Sequence, residues 1–251
     1  MFLTAVIFAL IAFLYASVGF GGGSSYTAIL IEAGLAWQLV PPLSLLCNII
    51  VVSGGVYHFA RAGYLDMRMA LPLVATSVPA AFFGGFLRLE QPVFLAALGI
   101  ALLLSGALLL LDRQWQADHK EAMIGGSLPL AGLGLVLGAI AGITGIGGGI
   151  YLAPVLHFFR LAPARTVAAI CSLFILVNSL SGLAGQLAKL GNDAHALLSY
   201  DYLALPLAVL VGGQIGSRIG ATRLPASPIR RLTGLVVLVV SVRILWQVVF
   251  A

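Results

Sequence analysis

Polar and apolar positions divide the chain into long hydrophobic runs separated by short polar turns. The first 60 residues contain one charged side chain, Glu32, and charge-free runs follow at 69–87, 91–111, 122–159, 166–188 and 202–217. A helix needs about 20 apolar residues to cross the roughly 30 Å hydrocarbon core of a bilayer. The pattern therefore predicts an all-α polytopic membrane protein. The plain spans it predicts are 39–60, 66–87, 92–111, 163–189, 198–218 and 230–250.

Composition supports this class. Apolar residues make up 61% of the chain, charged residues 8%, and the mean hydropathy is +1.11, whereas a soluble domain is typically about 25% charged. The N-terminal run lacks a positive leader, so we interpret it as part of the mature protein and not as a signal peptide. The net charge of +5 comes from scattered basic residues in short loops. That pattern is typical of topology signals and does not indicate a nucleic-acid partner.

The chain contains two related halves. "GFGGG" at Gly19–Gly23 matches "GIGGG" at Gly145–Gly149, and similar segments follow both in the same order. "PPLSLLCNIIVVSGG" resembles "AAICSLFILVNSLSG", with Ser44 opposite Ser172, and "ALPLVATSVPAAFFGG" resembles "ALPLAVLVGGQIGSR". A duplication is therefore predicted, each half being a glycine-broken segment plus three plain transmembrane helices. The first repeat covers 1–111, a polar connector 112–122, and the second repeat 123–251.

Two topologies fit these halves. If each broken segment crosses the membrane once, the repeats are parallel and the Lys and Arg residues of the loops divide five against seven. If each broken segment enters the membrane, turns and leaves by the same face, the repeats are inverted. Ten of the loop Lys and Arg residues then lie on one side of the membrane, and only Arg88 and Lys189 lie on the other. The positive-inside rule favours the second topology, with positive loops cytoplasmic and both termini outside. Arg243 lies within the last span and not in a loop, and its side chain is expected to extend toward the membrane interface.

The paired glycine breaks are the main functional signal. Opening a helix in hydrocarbon exposes backbone groups that protein or a wet cavity must satisfy. The helices that restart near Ser24 and near Ile150 present free N–H groups and partial positive charge. Two such starts predict an anion site at the repeat interface that needs no buried Lys or Arg. The alternative is that the glycines serve only close helix packing.

Polar residues near the breaks complete the candidate site. Hydroxyl and amide groups there can either orient an anion or form interhelical hydrogen bonds. The candidate substrate-binding residues are Gly21, Gly22, Gly23, Ser24, Ser44, Asn48, Thr144, Gly147, Gly148, Gly149, Ser172 and Asn178.

The sequence offers little that suggests catalysis. Cys47 and Cys171 lie singly in apolar spans, the four histidines are scattered, and no acidic residue lies in the interior of a predicted span. We therefore predict no enzyme activity, no cofactor and no metal site. The missing intramembrane carboxylates also argue against a carrier of cations.

"GFGGGSS" together with "GITGIGGGIYLAPVL" resembles the TauE/SafE membrane proteins of the toluene-sulfonate uptake permease superfamily. The resemblance covers almost the whole chain and implies a secondary transporter of sulfite, sulfonate or a related sulfur-containing anion. It places the protein in the inner membrane of a prokaryote. Export by alternating access is the favoured interpretation, because the membrane potential already drives an anion outward. An anion channel, an uptake permease and a membrane scaffold are the alternatives. The sequence leaves the oligomeric state open, a homodimer included.

Overall fold

The computed structural model describes residues 2–111, 126–159, 161–191, 197, 200–222, 235, 238–239, 241–246 and 248–249. Its elements are α-helices throughout this described part. They are α1 (Phe2–Ala16), α2 (Gly23–Glu32), α3 (Val40–Arg61), α4 (Met67–Phe86), α5 (Gln91–Leu111), α6 (Ser127–Thr144), α7 (Gly149–Phe158), α8 (Ala164–Leu190) and α9 (Tyr200–Thr222). The described positions between 241 and 246 are also helical.

Local sequence explains where several helices begin. Pro41 and Pro42 occupy the first turn of α3, where a missing N–H costs nothing. The Asp66 carboxylate caps α4 by accepting hydrogen bonds from the backbone N–H of Arg68 and of Met69. The predicted spans 39–60, 66–87, 92–111 and 163–189 are confirmed within two residues, and 198–218 overlaps α9, which ends four residues later. The connector 112–122 lies outside the described residues, as does much of span 230–250.

Length and surface both indicate an integral membrane protein. Helices α3, α4, α6 and α8 are each long and apolar enough to cross a bilayer. Large apolar side chains are exposed along them and their neighbours, with Leu71 at 61% and Phe83 at 65%. Soluble proteins rarely expose apolar surface on this scale, whereas lipid contact requires it.

Glycines set the closest helix packing. Gly134, Gly138 and Gly142 of α6 face the carbonyls of Leu73, Ser77 and Ala81 of α4 in turn. The same kind of contact joins α9 to α1. Its three pairs are Gly212 with Ala9, Gly216 with Phe13, and Gly220 with Ser17. Residue numbers rise together in both interfaces, so each pair of helices runs parallel, with backbones as close as small-residue motifs allow.

The long helices α3 and α8 cross at the centre in opposite directions. Gly55 lies beside Ser172, and Leu45 lies beside Gly182. α4 runs parallel to α8, because Ser181 donates to the carbonyl of Val78 and the ends meet where Lys189 contacts the carbonyl of Leu87.

α9 lies along α3. Val51 faces Gly213, Gly54 faces Gln214, and His58 is near Arg218, so α3 and α9 run in the same direction. Because α1 is parallel to α9, helices α1, α3 and α9 share one direction.

Candidate functional site

The first break lies between α1 and α2. Gly22 caps α2 in the left-handed conformation, at φ 92°, which favours glycine. A Cβ at Gly22 would lie 2.8 Å from the Tyr26 ring, and that ring stacks on Phe8 of α1 at 4.6 Å between centroids. The prediction that the helix restarts near Ser24 is confirmed, since α2 begins at Gly23.

After this break the chain reverses direction. Gly23 lies beside Asn48, and one turn later the Thr27 hydroxyl donates to Ser44 Oγ at 3.2 Å. Numbers rise along α2 while they fall along α3, so α2 runs antiparallel to α3 and hence to α1. The geometry is that of a helical hairpin and not of one interrupted crossing.

The second break repeats the first. α6 ends at Thr144 with Gly145 as its C-cap, α7 begins at Gly149, and Gly148 has a positive φ of 84°. A Cβ at Gly148 would lie 2.8 Å from the Phe174 ring. The predicted restart near Ile150 is therefore also confirmed.

The two breaks meet at Asn48. Its side-chain amide lies against Gly21 and Gly23, and its Nδ2 donates to the carbonyl of Ile146 at 3.1 Å. A Cβ at Gly23 would lie 2.9 Å from that same carbonyl oxygen. Asn48 therefore bridges the breaks, and the starts of α2 and α7 come together beside it.

The side chain that packs on the second break is apolar. Ile175 stands against Gly147 and Gly149 as Asn48 stands against Gly21 and Gly23. Asn178 does not take this place. The site is thus chemically one-sided, with an amide on one break and a branched alkyl group on the other.

The predicted hydroxyls bond to backbone carbonyls or to a tyrosine. Ser44 donates to the carbonyl of Gly23 at 3.2 Å, and Ser172 donates to that of Gly19 at 3.0 Å, so both stabilise the first break. Thr144 donates to Ile140 within its own helix at 2.7 Å. The Ser24 hydroxyl lies 3.3 Å from the Tyr15 hydroxyl. All twelve predicted site residues are buried.

Two neighbouring polar residues on α8 remain unpaired. Asn178 and Ser179 are both fully buried, and neither side chain has a hydrogen-bond partner among the described residues. Ser179 was not predicted, although it lies two helical turns from Ser172 on the same face of α8. A Cβ at Gly147 would lie 2.9 Å from Ser179 Oγ and 3.1 Å from Asn48 Nδ2, so these two side chains flank one glycine.

The buried interior carries no formal charge in the described part of the chain. Its buried polar side chains are serine, threonine, asparagine and glutamine. The first turns of α2 and α7 are therefore the expected source of positive potential in this region, because the first N–H groups of a helix lack intrahelical partners. Groups of three His, Cys, Asp or Glu side chains that could hold a metal ion do not occur within the described ranges.

Arg243 has an acidic partner. Its Nη2 lies 2.7 Å from Oε2 of Glu32 at the end of α2, and its side chain is 65% exposed. The ion pair ties the end of the first hairpin to the C-terminal helical segment. Arg243 thus lies outside the cluster around Asn48.

Comparison with known proteins agrees with this architecture. A family model described as "Sulfite exporter TauE/SafE" matches residues 4–244. A probable membrane transporter protein of Sinorhizobium fredii is 33% identical, over 96% of this chain and 97% of its own length. Probable membrane transporter proteins of Xylella fastidiosa and Bacillus subtilis are each 26% identical, over 90% and 80% of this chain and 88% and 84% of their own lengths. No solved structure gives a significant match.

Apolar helices of spanning length, two broken helices and similarity to membrane transporters define the class. The protein is an integral membrane transporter and not an enzyme. The chain belongs to the sulfite exporter TauE/SafE family, in agreement with the resemblance found in its glycine motifs.

Proposed function

We propose that the protein is a secondary transporter that exports sulfite, a sulfonate or a related small sulfur-containing anion by alternating access. The observation that carries this proposal is the meeting of two helix starts at Asn48, where Nδ2 bonds to Ile146 and the amide contacts Gly21 and Gly23. Helix N-termini bind oxyanions through free N–H groups and the helix dipole. The twelve residues predicted from the sequence, most of them at or beside these breaks, would form the site.

The expected charge of the substrate follows from the charged and partly charged groups of the site. A site with two helix starts and no buried acid in the described part attracts an anion and repels a cation. The family is named for sulfite, which has the oxyanion group such a site would bind. The membrane potential would favour export by about 2.3 kcal/mol per charge per 100 mV.

Alternating access would rest on inverted repeats. The contacts of α1 with α9 correspond to those of α6 with α4, and the contacts of α3 with α9 correspond to those of α8 with α4. In inverted repeats matching helices would run in opposite directions, as α3 and α8 do where they cross. Two halves related in this way can exchange conformations around a central site and open it to each side in turn.

Flux measurements test the substrate and the mechanism together. In proteoliposomes of the purified protein we expect sulfite or a small sulfonate to move down its gradient, with competition by unlabelled anion on the opposite side. Protein-free liposomes are the control. Failure across a broad panel of sulfur oxyanions and sulfonates would refute the substrate class. Flux far above carrier turnover without competition would indicate a channel instead.

Side-specific labelling tests the inverted topology. In a chain lacking the buried thiols Cys47 and Cys171, we expect Arg88→Cys to react from outside and Arg165→Cys from inside. Lys189→Cys should behave like Arg88→Cys, because Arg88 Nη2 contacts the Lys189 carbonyl. Labelling of Arg88→Cys and Arg165→Cys from one face would contradict the inverted arrangement.

A further inference from the structure

The amide of Asn48 is oriented by one hydrogen bond and leaves its oxygen unpaired. Because Nδ2 donates to the carbonyl of Ile146, Oδ1 points to the other side, against Gly21. Oδ1 is fully buried and accepts no hydrogen bond from any described residue. A buried acceptor without a donor is costly, so this oxygen is suited to a donor that arrives with a ligand.

Ser179 provides a second unpaired group, beside Gly147 of the second break. Its Oγ and Asn48 Nδ2 lie on either side of Gly147, within contact distance of where a Cβ would stand. The hydroxyl is fully buried and forms no hydrogen bond within the described ranges. A serine hydroxyl both donates and accepts, so it can bond to an oxyanion oxygen or to a group that carries a proton.

Helix starts alone do not explain these groups. The first turns of α2 and α7 supply only donors, which suit the oxygens of any oxyanion. An unpaired amide oxygen beside them does not suit a ligand that consists of acceptors only. Ile175, which faces Gly147 and Gly149 from α8, adds an apolar wall and no further acceptor.

We propose that Asn48 and Ser179 make the site selective for anions that carry a hydrogen-bond donor next to the oxyanion group. This inference rests on the proposed transport of sulfur anions and specifies which of them bind best. Donor-bearing ligands include hydrogen sulfite and hydroxyalkyl or aminoalkyl sulfonates. A site that pairs with a substrate hydroxyl discriminates strongly against the analogue in which a methyl group replaces it, because its own polar atoms are then left unpaired.

Matched pairs of anions test the selectivity. Isethionate and n-propanesulfonate differ by a hydroxyl in place of a methyl group, and 3-hydroxypropanesulfonate and n-butanesulfonate differ in the same way with one more methylene group. In competition against labelled sulfite flux in proteoliposomes of the full chain, we expect the donor-bearing member of each pair to inhibit at least about tenfold more strongly. A preference in only one pair would identify the distance between the sulfonate and the hydroxyl that the site accepts.

Ser179→Ala assigns the effect to the site. This variant loses no hydrogen bond of the described structure, so we expect an unchanged melting temperature. The ratio of inhibition by the donor-bearing anion to inhibition by its analogue should fall toward one. Ser217→Ala is the control, because that buried hydroxyl donates to the carbonyl of Gln214 in α9, at 3.2 Å, and should leave the preference intact. Asn48→Leu should also abolish the preference, and Ser179→Ala decides the matter if Asn48→Leu fails to insert.

The outcomes separate this inference from the proposed function. Sulfite flux with equal inhibition by both members of each pair would overturn the selectivity and leave the transport function standing. An unchanged preference in Ser179→Ala would overturn the role of Ser179. Absence of flux and of inhibition by every anion would overturn the proposed function, and the selectivity with it.

Discussion

Replacing Gly23 by alanine is expected to reduce anion flux by at least about tenfold while the protein still inserts in the membrane. A Cβ at Gly23 would lie 2.5 Å from Asn48 Nδ2 and 3.0 Å from the Cα of Ile146. The Asn48 side chain is short, and its amide is already hydrogen-bonded to the carbonyl of Ile146. The Ile146 atoms in contact belong to the main chain of the other break. Neither group can therefore move without the other. Overpacking of this kind costs about 1–3 kcal/mol, and each 1.4 kcal/mol is about a factor of ten in an equilibrium.

The matched control for this substitution is Gly132→Ala in α6. Nothing lies within 4 Å of a Cβ at Gly132, and alanine is a better helix former than glycine. We expect full flux and an equal or higher melting temperature from this variant. Equal flux from Gly23→Ala and Gly132→Ala would mean that the contact between the two breaks is not needed for transport.

The positions of the helix breaks could be predicted because their signal is local. Runs of glycine in an apolar sequence indicate an opened helix wherever they occur, and both restarts lie within one residue of the prediction. The long spans were predictable for the same reason, since length and hydropathy alone define them.

The partner of each break could not be predicted, because it depends on register between distant helices. Gly19 packs on Ala168 and Gly145 packs on Pro41, which makes Pro41 and Ala168 equivalent. That register places Ile175 opposite Asn48. The sequence similarity, which pairs Ser44 with Ser172, corresponds to a register shifted by one residue from this one. A shift of one residue turns a helical side chain by about 100°, given 3.6 residues per turn. Weak similarity between two halves cannot fix register so finely.

The glycine alternatives are also clearer in the structure. Packing and ligand binding were separate interpretations of the sequence, yet the glycines of the breaks contact protein closely in both halves. Close packing is what brings the starts of α2 and α7 together, so it would be a condition of the proposed anion site and not its competitor.

Replacing Gly142 by valine is expected to destabilise the whole helical assembly more than any change at the site. A Cβ at Gly142 would meet the carbonyl of Ala81 and would lie 2.8 Å from the backbone nitrogen of Gly85. Both contacts are with backbone, so no rotamer relieves them and α6 must separate from α4. Gly134 and Gly138 lie on the same face and would lose their own contacts as the helices part.

We expect Gly142→Val to cost about 3 kcal/mol or more, seen as a lower melting temperature and loss of the monodisperse peak in detergent chromatography. Gly132→Val is the matched control, because it places the same side chain in the same helix where space is open. Its only cost should be the helix propensity of valine, which is within about 1 kcal/mol of that of glycine. Equal stability of the two variants would show that α4 and α6 can separate freely, so that their contact does not hold the fold together. A selective loss in Gly142→Val would instead show that the close contact of α6 with α4 holds the helix that leads into the second break in its place in the fold.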